Sequence, residues 1–393
     1  MTNQKHKELD THPLTEWFAG QIDSPVMRLR FLRASMLPRQ SSGPLYSPRI
    51  SRTCWFLLPL SVVLFLFTAP ALAPRVRAAK SMPGHPAALH AWPATVGLAR
   101  TREVWEVEKT AAFETYSNGL RIDNRFSVGN RPRSYRVFSA TRPDDLQGQH
   151  RSDPAGIVFH TTESPQAPFD AEENSTLKRI GESLLNYVRL KRSYNFLIDR
   201  FGRVYRVVRE SDAANHAGNS VWADSEWLYV NLNESFLGVS FETQTLPGQV
   251  EATVNPAQMR SAALLTEMLR QRYHIQAANC VTHAQVSVSV SSRLVGYHLD
   301  WASSFPFMAL GLPDNYALPL PAVAVFGFGY DESFARKAGA RLLGEAQLGE
   351  GILRDSAAAA HMQLSAYRES LQERYLRQLA VVRSDAERTD QEE

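Results

Sequence analysis

The chain of 393 residues is 44% hydrophobic and 21% charged, an ordinary globular composition with enough apolar side chains for a full core. Its formal net charge of +3 is too small over this length to mark nucleic acid as the partner. The two cysteines, Cys54 and Cys280, exclude a disulfide framework, because Cys54 belongs to a hydrophobic segment apart from the main domain. Cys280 reads as a small buried residue of a strand rather than as a ligand or nucleophile.

Residues 1–53 are polar, rich in Pro and Arg and without sustained periodicity, which predicts a disordered basic leader. From Cys54 to Leu72 the chain carries no charge, follows a run of arginines and is succeeded by Ala71-Leu72-Ala73. That pattern predicts a signal peptide or membrane anchor over 54–76 and an exported main domain, in periplasm, cell envelope or extracellular space. The long stretch before it points to Met27 or Met36 as the true start. Residues 77–152 read as a linker followed by a small strand-rich lead-in, with turns at Tyr116-Ser117-Asn118-Gly119 and Gly129-Asn130-Arg131-Pro132.

Between 153 and 322 strand and helix signals alternate. Gly156-Ile157-Val158-Phe159 is fit for a buried strand. Leu177, Ile180, Leu184 and Val188 follow helical spacing. Tyr194–Ile198 and Val204–Val208 are β-rich, with Asp199-Arg200-Phe201-Gly202 as a hairpin turn between them. Phe236–Phe241 is a further strand, and Asn255-Pro256 opens a helix whose Leu264, Leu265, Met268 and Leu269 share a face. The fold class is therefore α/β, a central mixed sheet flanked by helices. Residues 323–393 carry apolar positions at helical spacing and predict one or two C-terminal helices, broken near Gly349–Gly351 and frayed from Ser384.

His160 ends the first buried strand and His283 ends Cys280-Val281-Thr282; Tyr297-His298-Leu299-Asp300-Trp301 follows. A histidine at a strand end can present a ring nitrogen to a cleft. Two histidines and a carboxylate, with water in the fourth position, make the ligand set of a catalytic zinc hydrolase, although spacing alone does not show that the three meet.

The order of the motifs adds a resemblance. Ile157-Val158-Phe159-His160-Thr161 is followed by Tyr194-Asn195-Phe196-Leu197-Ile198 with Gly202-Arg203-Val204-Tyr205. Then come His216-Ala217-Gly218-Asn219-Ser220, Leu237-Gly238-Val239-Ser240-Phe241 and Thr282-His283 with Asp300. Residues 153–322 thereby resemble the type 2 N-acetylmuramoyl-L-alanine amidases and the related peptidoglycan recognition proteins. The resemblance implies the amidase/peptidoglycan recognition fold and zinc held by His160, His283 and Asp300. It implies hydrolysis of the amide between N-acetylmuramic acid and L-alanine, with peptidoglycan or muropeptides as partner. The loop from Ser287 to Tyr297 is longer than the family's, and Asp300-Trp301-Ala302 replaces its Asp-Pro-Gly, so His298 stands as a competing third ligand.

In the family pattern Tyr194 assists catalysis, and His298 stands where many members carry an oxyanion-stabilising Lys. Ser240 occupies the place of a catalytic Glu, leaving Glu242, two residues on along the same strand, as the candidate general base. Thr161, His216, Gly218 and Asn219 are expected to contact substrate. The competing reading is a non-catalytic peptidoglycan-binding module of the same fold.

Overall fold

A computed structural model describes residues 103–392 except 247, 249–252 and 297, all within the unit Met82–Glu393. The leader 1–53, the hydrophobic segment 54–76 and most of the linker lie outside the described residues. Among the described residues no helix is long and apolar enough to cross a membrane.

The lead-in supplies β1 (Glu106–Lys109), β2 (Phe113–Tyr116) and β3 (Arg121–Asp123), then β4 (Tyr135–Ser139) and β5 (Gln149–Arg151). The central strands are β6 (Gly156–Thr161), β7 (Phe196–Ile198) and β8 (Val204–Arg206). After them come β9 (Val221–Ala223), β10 (Trp227–Val230), β11 (Phe236–Phe241) and β12 (Cys280–Thr282). Eight of these form one mixed sheet in the order β1-β2-β3-β8-β7-β11-β6-β12, and the other four a second sheet in the order β5-β4-β10-β9. The lead-in is thus no separate layer. β3 pairs in parallel with β8, so the meander β1–β3 is the edge of the main sheet.

Every residue of β6 and β11 is buried, because parallel central strands are covered on both faces and read as continuous apolar runs. Ile157 and Phe159 enter the core beneath the helix α2 (Pro256–Arg272), while Val158 packs on the opposite face with Trp222, Tyr229 and Val281. His160 has the parity of Val158 and emerges on that second face at the C-terminal end of β6. α1 (Asn174–Lys191) buries Leu177, Leu185 and Val188. α2 opens on a capping box in which Asn255 accepts from the Gln258 backbone N–H, with Pro256 in the first turn, and it buries Leu265, Met268 and Leu269.

The C-terminal helices are α3 (Glu332–Ala338), α4 (Ala340–Ala359) and α5 (Leu364–Glu392). The expected break at Gly349–Gly351 is absent, since α4 runs through both glycines. Gly349 is small because α4 presses on the segment before it: a Cβ there would lie 2.9 Å from the Leu320 carbonyl oxygen. Nor does the chain fray at Ser384, where Asp385 accepts from Arg136 of β4 at 2.7 Å. Leu342, Tyr375, Leu379 and Val382 share one core with Phe138, Val221, Leu228, Phe326 and Phe328, so the helices cover the second sheet.

Candidate metal centre

His160 is carried by β6, and His283 opens a single helical turn directly after the neighbouring β12. Gln285 Oε1 accepts from the Thr282 backbone N–H at 2.9 Å, which ties the end of that turn back to its start. The stretched loop after it folds into a small hairpin, Val288–Ser289 against Leu294–Val295, and Gly296 donates back to the Ser287 carbonyl at 2.7 Å. This returns the chain to His283, where Ala284 N–H meets the Asp300 carbonyl at 3.4 Å.

The three side chains converge. Asp300 Oδ2 lies 3.0 Å from His283 Nδ1 and 3.2 Å from His160 Nδ1, all three residues are buried, and their ligand atoms lie within 4.8 Å of one another. Tetrahedral zinc with bonds of about 2.0–2.1 Å separates its ligand atoms by about 3.3 Å, so the donor set fits such an ion in chemistry and scale. Burial, and then the neighbouring His283, lower the His160 pKa to about 4, so the ring is neutral as a metal ligand must be. Burial alone would raise the Asp300 pKa, but the facing His283 outweighs it and holds the carboxyl well below the usual range.

His298 does not join the three. It stacks on the His283 ring with centroids 4.1 Å apart at 27°, and His283 disfavours its protonated form. Asp300, not His298, makes the cluster. Tyr194 lies outside β7 with φ of +64°, a conformation uncommon for an aromatic residue, and its ring centroid is 5.0 Å from that of His160. Burial and the Asp300 charge raise its pKa, which keeps the hydroxyl protonated. Thr161 is buried, donating to Glu163 at 2.5 Å and meeting Thr245 Oγ1 at 3.2 Å.

Two expected roles meet different surroundings. Glu242 is buried and committed to Arg200, accepting from its backbone N–H at 3.1 Å and from Nε at 2.9 Å. Its carboxylate is thus paired with the buried Arg200 guanidinium. His216 does not line an open cleft with the exposed Gly218 and Asn219; its ring points inward, Nδ1 3.0 Å from His160 Nε2. Asn233 anchors it, its Oδ1 accepting from the backbone N–H of His216 at 2.9 Å and of Ala217 at 2.7 Å. Gly238 makes room for it, since a Cβ there would lie 2.7 Å from His216 Cγ. Cys280 is fully buried and its thiol is pushed up to about 12, consistent with a packing residue. The sequence carried no signal for Asn233, whose partner His216 lies 17 residues away in the chain.

A mixed sheet bearing two histidines and an aspartate at one end defines the class as an α/β protein with a candidate metal cluster at that end. Residues 150–294, less than half of the chain, match the family model described as N-acetylmuramoyl-L-alanine amidase. Asp300 and the C-terminal helices lie beyond the match. Among solved structures, an N-acetylmuramoyl-L-alanine amidase from Clostridium intestinale is 22% identical, covering 40% of this chain and 83% of its own at a TM-score of 0.25. The E. coli amidase AmiD, complexed with anhydro-N-acetylmuramic acid-L-Ala-D-gamma-Glu-L-Lys, is 20% identical over 51% of this chain and 89% of its own, with a TM-score of 0.33. Drosophila peptidoglycan recognition protein SD is 21% identical over 35% and 74%, with a TM-score of 0.26. No curated protein matches the chain.

Proposed function

We propose that this protein is a zinc-dependent amidase that hydrolyses the bond between N-acetylmuramic acid and L-alanine in peptidoglycan. The observation that carries the reading is the convergence of His160, His283 and Asp300, all buried, on one point. A zinc ion held by the three would polarise the scissile carbonyl and lower the pKa of water beside it. Tyr194 would keep its proton and donate a hydrogen bond to the oxygen of the tetrahedral carbon that forms when water adds, while the proton lost by that water passes to the departing amine nitrogen. His298, stacked on His283, offers a second donor on the exposed side. Removing one such donor is expected to cost on the order of a hundred- to a thousand-fold in rate. Gly218 and Asn219 are exposed in the turn before β9 and would meet the peptide or sugar. Export through the segment 54–72 would bring the domain to its substrate.

The test is zinc stoichiometry and muropeptide cleavage by the full chain beside His160→Ala and Asp300→Ala. Near one zinc per wild-type chain, with metal and activity both lost in each variant, is the expected result. Full activity in either variant would end the zinc reading. Zinc and muropeptide binding without any product would favour the non-catalytic module.

A further inference from the structure

The ring nitrogens of His160 and His216 form one chain of contacts with a fixed direction. His216 Nε2 lies 3.2 Å from the Phe236 carbonyl oxygen. That oxygen also accepts from Arg133 Nη1 at 3.2 Å. A carbonyl oxygen only accepts, so His216 carries its proton on Nε2 and leaves Nδ1 bare. His216 Nδ1 lies 3.0 Å from His160 Nε2, which must then carry the proton of the His160 ring. The lone pair of His160 is thereby left on Nδ1, the atom that faces Asp300 Oδ2 at 3.2 Å. Two acceptors facing each other across that gap repel until a cation lies between them.

We propose that His216 is a positioning residue that holds His160 in its metal-accepting tautomer, with Arg133 and the Phe236 carbonyl as the fixed end of the relay. The inference rests on the zinc reading above. His216 takes no place against substrate and acts through His160. Its ring is buried, seated by Asn233 and by the missing side chain at Gly238, so it has little freedom to turn away. Arg133 is itself buried, donating through Nε to the Glu210 carbonyl at 2.9 Å and through Nη2 to the Asp212 carbonyl at 3.0 Å. It belongs to the lead-in, before the family match begins. Partners of this kind orient metal-ligating histidines and raise their basicity, and losing one costs about 10- to 100-fold in metal affinity.

The test compares zinc affinity of the full chain, by competition with a chelating dye, in wild type, His216→Leu and His216→Asn. Leucine offers no acceptor, so affinity is expected to fall about 10- to 100-fold. Asparagine places Oδ1 near the Nδ1 position and is expected to recover most of the loss. Leucine binding zinc as tightly as wild type, or asparagine as weak as leucine, would overturn the relay. A second readout needs no variant: zinc-loaded wild type labelled with 15N histidine should show a coupling across the hydrogen bond from His160 Nε2 to His216 Nδ1. Its absence, or a proton found on His160 Nδ1, would also overturn it. Wild type that takes up no zinc would fail differently, removing the zinc reading and the relay together.

Discussion

At the scale of single residues, Glu242 shows how environment decides role. Both it and Arg200 are buried, and their closest side-chain approach is 2.8 Å. Glu242→Gln leaves the Arg200 cation uncompensated and is expected to destabilise the chain by about 3–5 kcal/mol while zinc affinity holds, read by urea unfolding and by metal titration. A variant of normal stability that had lost its activity would restore the general-base role. His160 gives a second expectation. Its folded pKa of about 4 lies below the unfolded value near 6.5, so between these the unfolded chain binds the extra proton and stability falls with falling pH. From pH 7 to pH 5 the metal-free protein should lose about 2 kcal/mol from this ring alone. An unfolding midpoint unchanged over that interval would contradict the buried neutral histidine.

The contrast between legible and hidden residues has a physical cause. His160 and His283 stand at the ends of short apolar runs, and a strand end followed by a polar residue is a local pattern. Asp300 was legible as a carboxylate near His298, but only the hairpin within 287–296 shows which of the two returns to the cluster. The inward turn of His216 depends on Asn233 and on the absent side chain of Gly238, contacts that no local pattern records. Glu242 shares the parity of Ser240, yet Arg200, across the sheet on the β7–β8 turn, claims it.

At the scale of elements, α4 separates two glycines that look alike in sequence. Gly349 meets the Leu320 carbonyl and Val323, whereas nothing lies within 4 Å of a Cβ at Gly351. Gly349→Ala should destabilise by about 1–3 kcal/mol through overpacking, and Gly351→Ala should stabilise by about 0.5–1 kcal/mol. Thermal unfolding of the two variants measures both; equal shifts would contradict the packing. The expected helix break failed here because glycine in a helix can mark a close approach as well as an end. α4 also reaches the site. Glu345, fully buried and pushed well above the usual carboxyl range by burial, accepts from Gln285 Nε2 at 2.5 Å. Gln285 in turn caps the turn that carries His283.

At the scale of the molecule, the unit from 103 to 392 uses parts before and after the family match to build the site. Arg133 precedes it; Asp300 and Glu345 follow it. The C-terminal helices were legible as helices from their apolar stripe, but not as the cover of the second sheet, because a stripe names a buried face and not its partner. Removing residues 332–393 would bare Phe326, Phe328 and the outer face of the second sheet. The truncated chain is expected to lose a cooperative unfolding transition and its zinc affinity. A truncated chain with the thermal midpoint and affinity of the full one would show the helices to be an independent appendage.

The central claim, that the His160–His283–Asp300 cluster serves amide hydrolysis, meets its most direct test in the products. Purified muropeptides would be incubated with the full chain, with chelator, and with chelator followed by added zinc, and then analysed by mass spectrometry. The expected result is free stem peptide beginning at L-alanine together with the intact sugar, lost with chelator and restored by zinc. Intact muropeptides in the zinc-loaded sample, or fragments cut at any other bond, would contradict it.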